Sequence, residues 1–147
     1  MARLTTLLLI LAFIPVLNRH VKAQTSSDST AIVAAALDYI EGYYDADAER
    51  MEKALHPDLA KRIVMTDPQQ GRSHLRQMSA LTLIQATSGK SPTPDSERQQ
   101  DVTILDIYGN TASVKVVATD WVDYLHVAKW NGEWKIVNVL WELKARE

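Results

Sequence analysis

Three two-residue turns constrain this chain more than any other feature. Gly109-Asn110, Thr119-Asp120 and Asn131-Gly132 separate four β-rich runs: Asp101 to Tyr108, Thr111 to Ala118, Trp121 to Trp130 and Glu133 to Leu143. A two-residue loop makes the residues on either side of it directly opposite partners, and Asn-Gly is the strongest short-range hairpin signal. The last third therefore reads as a four-stranded antiparallel meander whose register follows from the turns alone.

Because side chains alternate along a strand, that register also assigns faces. One face collects Thr103, Leu105, Val114, Val116, Trp121, Asp123, Leu125, Val127, Trp134, Ile136, Asn138 and Leu140. The other carries Val102, Ile104, Tyr124, His126, Trp130, Val137, Val139 and Trp141. The first is the more apolar, and we expect it to be the concave face covered by helices.

Upstream, Ile32, Val33, Ala36, Leu37, Ile40 and Tyr44 recur at spacings of three and four, the pattern of an amphipathic helix. Asp45-Ala46-Asp47 ends it and caps a second helix bearing Met51 and Leu55, which His56-Pro57 stops. Lys61 to Thr66 and Arg72 to Met78 flank the turn-rich Asp67-Pro68-Gln69-Gln70-Gly71 and read as a hairpin. Ser79 caps a third helix, Ala80 to about Ala86, and the segment from Ser88 to Asp95, with Pro92 and Pro94, is a loop.

The start of the chain has a different character. Arg3, an apolar run from Leu4 to Leu17, a polar stretch and Val21-Lys22-Ala23 form a secretory signal, residues 1–23, cut between Ala23 and Gln24. The run is shorter than the roughly 20 residues that span a bilayer. The expectation is an exported protein, periplasmic or extracellular, without membrane insertion after cleavage. With no cysteine, disulfides, thiolate metal sites and thiol nucleophiles are excluded. Removing Arg3, Arg19 and Lys22 from 16 basic and 18 acidic residues leaves a net charge near −5, which argues against nucleic acid as a partner. Residues 24–147 suffice for one domain with a core.

Helix, helix, hairpin, helix and long meander is the element order of the nuclear transport factor 2-like superfamily. The chain resembles its "putative lumazine-binding" branch in Tyr39-Ile40-Glu41-Gly42-Tyr43-Tyr44, in Leu55-His56-Pro57-Asp58-Leu59, in Leu75-Arg76-Gln77-Met78-Ser79, and in Asp123-Tyr124-Leu125 with Gly132-Glu133-Trp134-Lys135-Ile136-Val137-Asn138. The resemblance implies an α+β cone, a curved antiparallel sheet wrapped around N-terminal helices. The superfamily holds isomerases, dehydratases, cyclases and binding modules, so fold leaves activity open.

Asp123 is the leading candidate for chemistry, a carboxylate on an otherwise apolar face that could act as general acid or base. By the turn-derived pairing Asn138 lies diagonal to it, Leu140 opposite, and Thr103 two strands away. Tyr39 and Tyr43, one helical turn apart, could hang over the sheet, and Trp121 could stack on a flat ligand. These seven residues form the expected ligand pocket. The histidines lack metal-ligand spacing, and neither a nucleophile turn nor a phosphate-binding glycine loop is present, so no metal or cofactor is expected. Tyr124, His126, Trp130, Val137, Val139 and Trp141 make the outer face too apolar for a solvated surface, and it is expected to form a homodimer interface. The leading expectation is an exported binder of a small apolar or aromatic ligand. The alternatives are a cofactor-free isomerase or dehydratase with Asp123 as base, and a structural homodimer with a filled pocket.

Overall fold

The computed structural model describes residues 26–145. The expected signal segment lies outside them. Two helices come first, α1 (Ser26–Asp45) and α2 (Ala48–Ala54), followed by strands β1 (Leu55–Thr66) and β2 (Ser73–Ser79) and helix α3 (Ala80–Ser88). A short 3-10 turn, Asp95–Glu97, leads into β3 (Gln100–Tyr108), β4 (Thr111–Ala118), β5 (Trp121–Trp130) and β6 (Glu133–Leu143).

Local chemistry explains most of these boundaries. Ala46, at φ 58°, turns the chain out of α1, and the Asp47 side chain accepts from the Arg50 amide to cap α2. Gly42 lets the two helices close up: a Cβ there would stand 3.0 Å from the Met51 nitrogen. Ser79 caps α3 by accepting from the Thr82 amide. Asn131 and Gly132, at φ 49° and 88°, supply the left-handed pair that a tight hairpin demands.

The six strands form one sheet in the order β2-β1-β6-β5-β4-β3. Every pairing is antiparallel except that of β1 with β6, which is parallel. That contact joins the first hairpin to the meander, and local patterning does not foreshadow it. Leu55 belongs to β1 rather than to the second helix, because the extended geometry that Pro57 imposes on its predecessor suits a strand as well as a helix end. Ile32, Ala36, Tyr39 and Ile40 of α1 pack with Val114, Val116, Leu125, Val127, Ile136 and Val139 to form the core on the inner face of the sheet.

Two β-bulges correct the faces derived from the turns. On β3, Ile104 pairs with Val114 and Asp106 with Ser113, so Leu105 is an extra residue. On β6, Ile136 pairs with Val127 and Asn138 with His126, so Val137 is an extra residue. One inserted residue flips every side chain beyond it. Thr103, Asn138 and Leu140 therefore lie on the outer face instead of lining the cone, with Leu140 49% exposed. Val139 and Trp141, expected at an outer interface, turn inward, and Val139 is fully buried. Tyr124, His126 and Trp130 remain outside, and Val137 sits half-buried in the bulge.

Candidate functional site

Among the described residues, one ion pair has both partners buried, and it lies on the inner face. Asp123 is 0% and Lys61 5% exposed. They belong to β5 and β1, the strands on either side of β6; Asp123 pairs with Trp141, whose neighbour on β1 is Ile63, and Lys61 stands two residues before Ile63. Lys61 thus reaches across β6, and its Nζ donates to Asp123 Oδ1 at 2.5 Å. The ammonium lies 4.7 Å from the centroid of the Trp141 ring.

Tyr39 closes the cluster from α1. Its hydroxyl accepts from Lys61 Nζ at 2.7 Å and donates to Asp123 Oδ2 at 3.0 Å. Trp121 Nε1 donates to the same Oδ2 at 2.6 Å. Both oxygens of the carboxylate are therefore engaged, which is what a buried charge requires. Burial, reinforced by the charge of Asp123 and the hydrogen bond to it, holds the Tyr39 phenol well above its ordinary value. Burial also pulls the Lys61 ammonium below its ordinary value, against the opposing attraction of Asp123.

A cleft of about 340 Å³ opens on one side of this cluster. Lys61 and Tyr39 form its polar wall, and Trp121, Trp141, Tyr43 and Met78 supply aromatic and apolar walls. Other clefts of similar size occur, including one of about 400 Å³ that shares Tyr43, Asp120 and Trp121 with it. What distinguishes the first is its buried polar groups. Asp123 does not line it, being screened behind Lys61 and Tyr39. Trp141 Nε1 does not have a hydrogen-bond partner among the described residues although it is buried.

Of the seven expected pocket residues, the structure brings Asp123, Tyr39 and Trp121 into direct contact. Tyr43 stands at the cleft without joining the cluster, its ring edge-on to Trp121 at 5.3 Å and its phenol raised by burial and by Asp120. Thr103, Asn138 and Leu140 are elsewhere; Asn138 accepts from Arg62 on the outer face. Sequence reasoning missed Lys61 and Trp141. The first had a signal, since Leu59, Lys61 and Ile63 alternate on one face of β1 with a lysine in the middle. Trp141 was hidden by the bulge at Val137. No group of three His, Cys, Asp or Glu side chains suited to a metal ion occurs among the described residues, and no helix among them is long and apolar enough to cross a membrane.

Helices laid against a curved, unclosed six-stranded sheet define the nuclear transport factor 2-like class of α+β proteins. Within it, the chain belongs to the family described as "Putative lumazine-binding", whose model matches residues 27–142. No curated protein matches the chain. Among solved structures it is similar to a nuclear transport factor 2-like protein of unknown function from Methylobacillus flagellatus KT, at 23% identity over 85% of this chain and 98% of that one, with a TM-score of 0.69. A second such protein of unknown function, from Shewanella baltica OS155, shares 21% identity over 84% of this chain and 99% of that one, with a TM-score of 0.68. A ketosteroid isomerase-like protein from Erwinia carotovora atroseptica SCRI1043 is more distant, at 12% identity over 83% of this chain and all of that one, with a TM-score of 0.54. At these identities the likeness is one of fold.

Proposed function

We propose that this protein is an exported domain that binds a small, flat, neutral molecule in the cleft between Tyr39, Lys61, Trp121 and Trp141. The observation that carries the reading is the cleft itself, in which Lys61 and Tyr39 form a polar wall between the aromatic side chains of Trp121, Trp141 and Tyr43. A cleft that is mostly apolar with a few convergent polar groups is the usual form of a small-molecule site. The volume lies near the lower end of the range of about 300–1,000 Å³ for small-molecule sites, so the ligand is one or two fused rings rather than a larger body.

Charge argues for neutrality. Among the described residues Lys61 is the one cation in the wall, and Asp123 already neutralises it, while Asp120 also borders the cleft. An anion would gain little there. The structure favours binding over catalysis by Asp123, because that carboxylate is screened from the cleft and both of its oxygens are occupied.

Calorimetric titration with neutral bicyclic aromatic carbonyl and hydroxyl compounds tests this reading. Trp141→Ala removes one aromatic wall of the cleft; its affinity should fall about tenfold, the effect of roughly 1.4 kcal/mol of lost ring contact. Equal affinity in both proteins, or no binding by either, would count against the site.

A further inference from the structure

Lys61 is a primary amine at the wall of an apolar cleft, with a carboxylate at 2.5 Å and a phenol at 2.7 Å from its nitrogen. A lysine that served only to neutralise Asp123 would not need to border the cleft. Trp121 Nε1 and Tyr39 already give that carboxylate two donors on its other oxygen. We propose that Lys61 is a carbonyl-capturing amine, forming a reversible imine with a flat conjugated aldehyde bound in the cleft. The inference rests on the ligand-binding reading above and names the ligand's reactive group.

The cluster supplies each step. Lys61 passes one proton by way of the Tyr39 hydroxyl, which accepts from Nζ and donates to Asp123 Oδ2, leaving a lone pair on Nζ and a proton on Oδ2. That pair attacks the carbonyl carbon while the C=O π pair moves onto oxygen, which takes a proton from the Tyr39 hydroxyl. Tyr39 recovers its proton from Asp123 through the contact at Oδ2. The hydroxyl of the resulting carbinolamine then takes a proton from nitrogen by way of the same two groups and departs as water. Nitrogen's lone pair completes the C=N bond. In sum, one ammonium and one aldehyde become one protonated imine and one water; no oxidant or reductant takes part. The cation that faced Asp123 is replaced by another, so the buried ion pair is restored in the product. Desolvation of the amine works in the same direction, since it favours the neutral nucleophile.

Neutral composition of the cleft selects the partner. Trp121, Trp141 and Tyr43 offer faces and edges to a planar ring system. The Tyr39 hydroxyl, in the polar wall, is the donor for the carbonyl oxygen as negative charge develops on it. A fused-ring aldehyde such as naphthaldehyde presents both features in one small molecule.

The test incubates the purified protein with naphthaldehyde and cyanoborohydride, which fixes an imine as a secondary amine, and maps the modified lysine by peptide mass spectrometry. A parallel fluorescence titration uses naphthylmethanol, which fills the same space without a carbonyl. The proposal expects naphthylmethanol to bind and one naphthylmethyl group to be fixed at Lys61 ahead of the exposed Lys53, which serves as an internal control. Lys61→Arg should lose that label, and Tyr39→Phe should slow labelling about a hundredfold, the usual scale for a general acid. Binding of naphthylmethanol with no preference for Lys61 would overturn the capture chemistry and leave the ligand-binding reading standing. Failure of naphthylmethanol to bind, with labelling spread over exposed lysines, would overturn both. The lysine map of the unmodified protein decides the matter even if either variant fails to fold.

Discussion

Lys61 Nζ and Asp123 Oδ1 face each other at 2.5 Å on the inner side of the sheet, two strands apart, bridged by the Tyr39 hydroxyl. Removing one member strands the other. Asp123→Leu or Lys61→Met should each cost about 3–5 kcal/mol, because breaking a buried pair leaves an uncompensated charge or unsatisfied donors. The double replacement Lys61→Met with Asp123→Leu should recover most of that loss. Urea denaturation of the four proteins measures the coupling, and additive losses would mean the two groups act independently.

Tyr39 should make stability sensitive to alkali. Its phenol is held well above its ordinary value of 10.0 in the folded protein, so above that pH the unfolded chain has lost a proton that the folded one keeps. The folded state then binds more protons, and stability falls as pH rises through this window. Lys61, held below its ordinary value, contributes with the opposite sign and is present in both proteins of the comparison. Denaturation curves from pH 9 to pH 11 should show a steeper loss in the native protein than in Tyr39→Phe; parallel curves would mean the phenol is not withheld from solvent.

Adjacent residues on β6 distinguish the bulged register from the one that the turns alone imply. Val139 is fully buried and Leu140 is 49% exposed. Val139→Asp should destabilise by more than about 4 kcal/mol, and Leu140→Asp by less than about 1 kcal/mol in the monomer. A register without the extra Val137 reverses that order, so thermal denaturation of the two variants decides between them.

Leu140→Asp also bears on assembly. The outer face exposes Tyr124 and Leu140 on adjacent strands, and Val64 and Leu75 on the neighbouring pair. We propose that this patch, without Val139 and Trp141, is where two copies meet. Sedimentation equilibrium should show a dimer for the native protein and a monomer for Tyr124→Glu with Leu140→Asp. A native monomer at tens of micromolar, or a dimer indifferent to both changes, would place any interface elsewhere.

The proposed export signal is checked at the terminus. Expressed with its first 23 residues in a secreting host, the protein should be recovered outside the cytoplasm with Gln24 as its first residue. Intact Met1 or Ala2 at the terminus of the recovered protein would contradict the assignment.

How far the fold could be read in advance depends on the range of the interaction that decides each part. Strands β4, β5 and β6 begin and end where the turn residues place them, because Asn131-Gly132 and Gly109 impose their backbone geometry locally. The bulges at Leu105 and Val137 carry no comparable local signature. Each moved candidate residues to the other face: Thr103 in the first case, Asn138 and Leu140 in the second. Asp123 stood out in the sequence because the turn at Thr119-Asp120 sets its pairing with β4, and that register is undisturbed. Its cation could not be named the same way. Lys61 meets Asp123 only through the parallel pairing of β1 with β6, a contact between segments far apart in the chain.

The most direct test of the ligand site is a nitrogen-proton NMR spectrum of the protein titrated with naphthylmethanol. The chain has four tryptophans, and each indole N–H gives one signal. The ligand-binding reading predicts that the Trp121 and Trp141 signals, from the two indoles that line the cleft, move most as the probe's rings pack against them. Shifts confined to Trp130 on the outer face, or no shift at saturating probe, would contradict it.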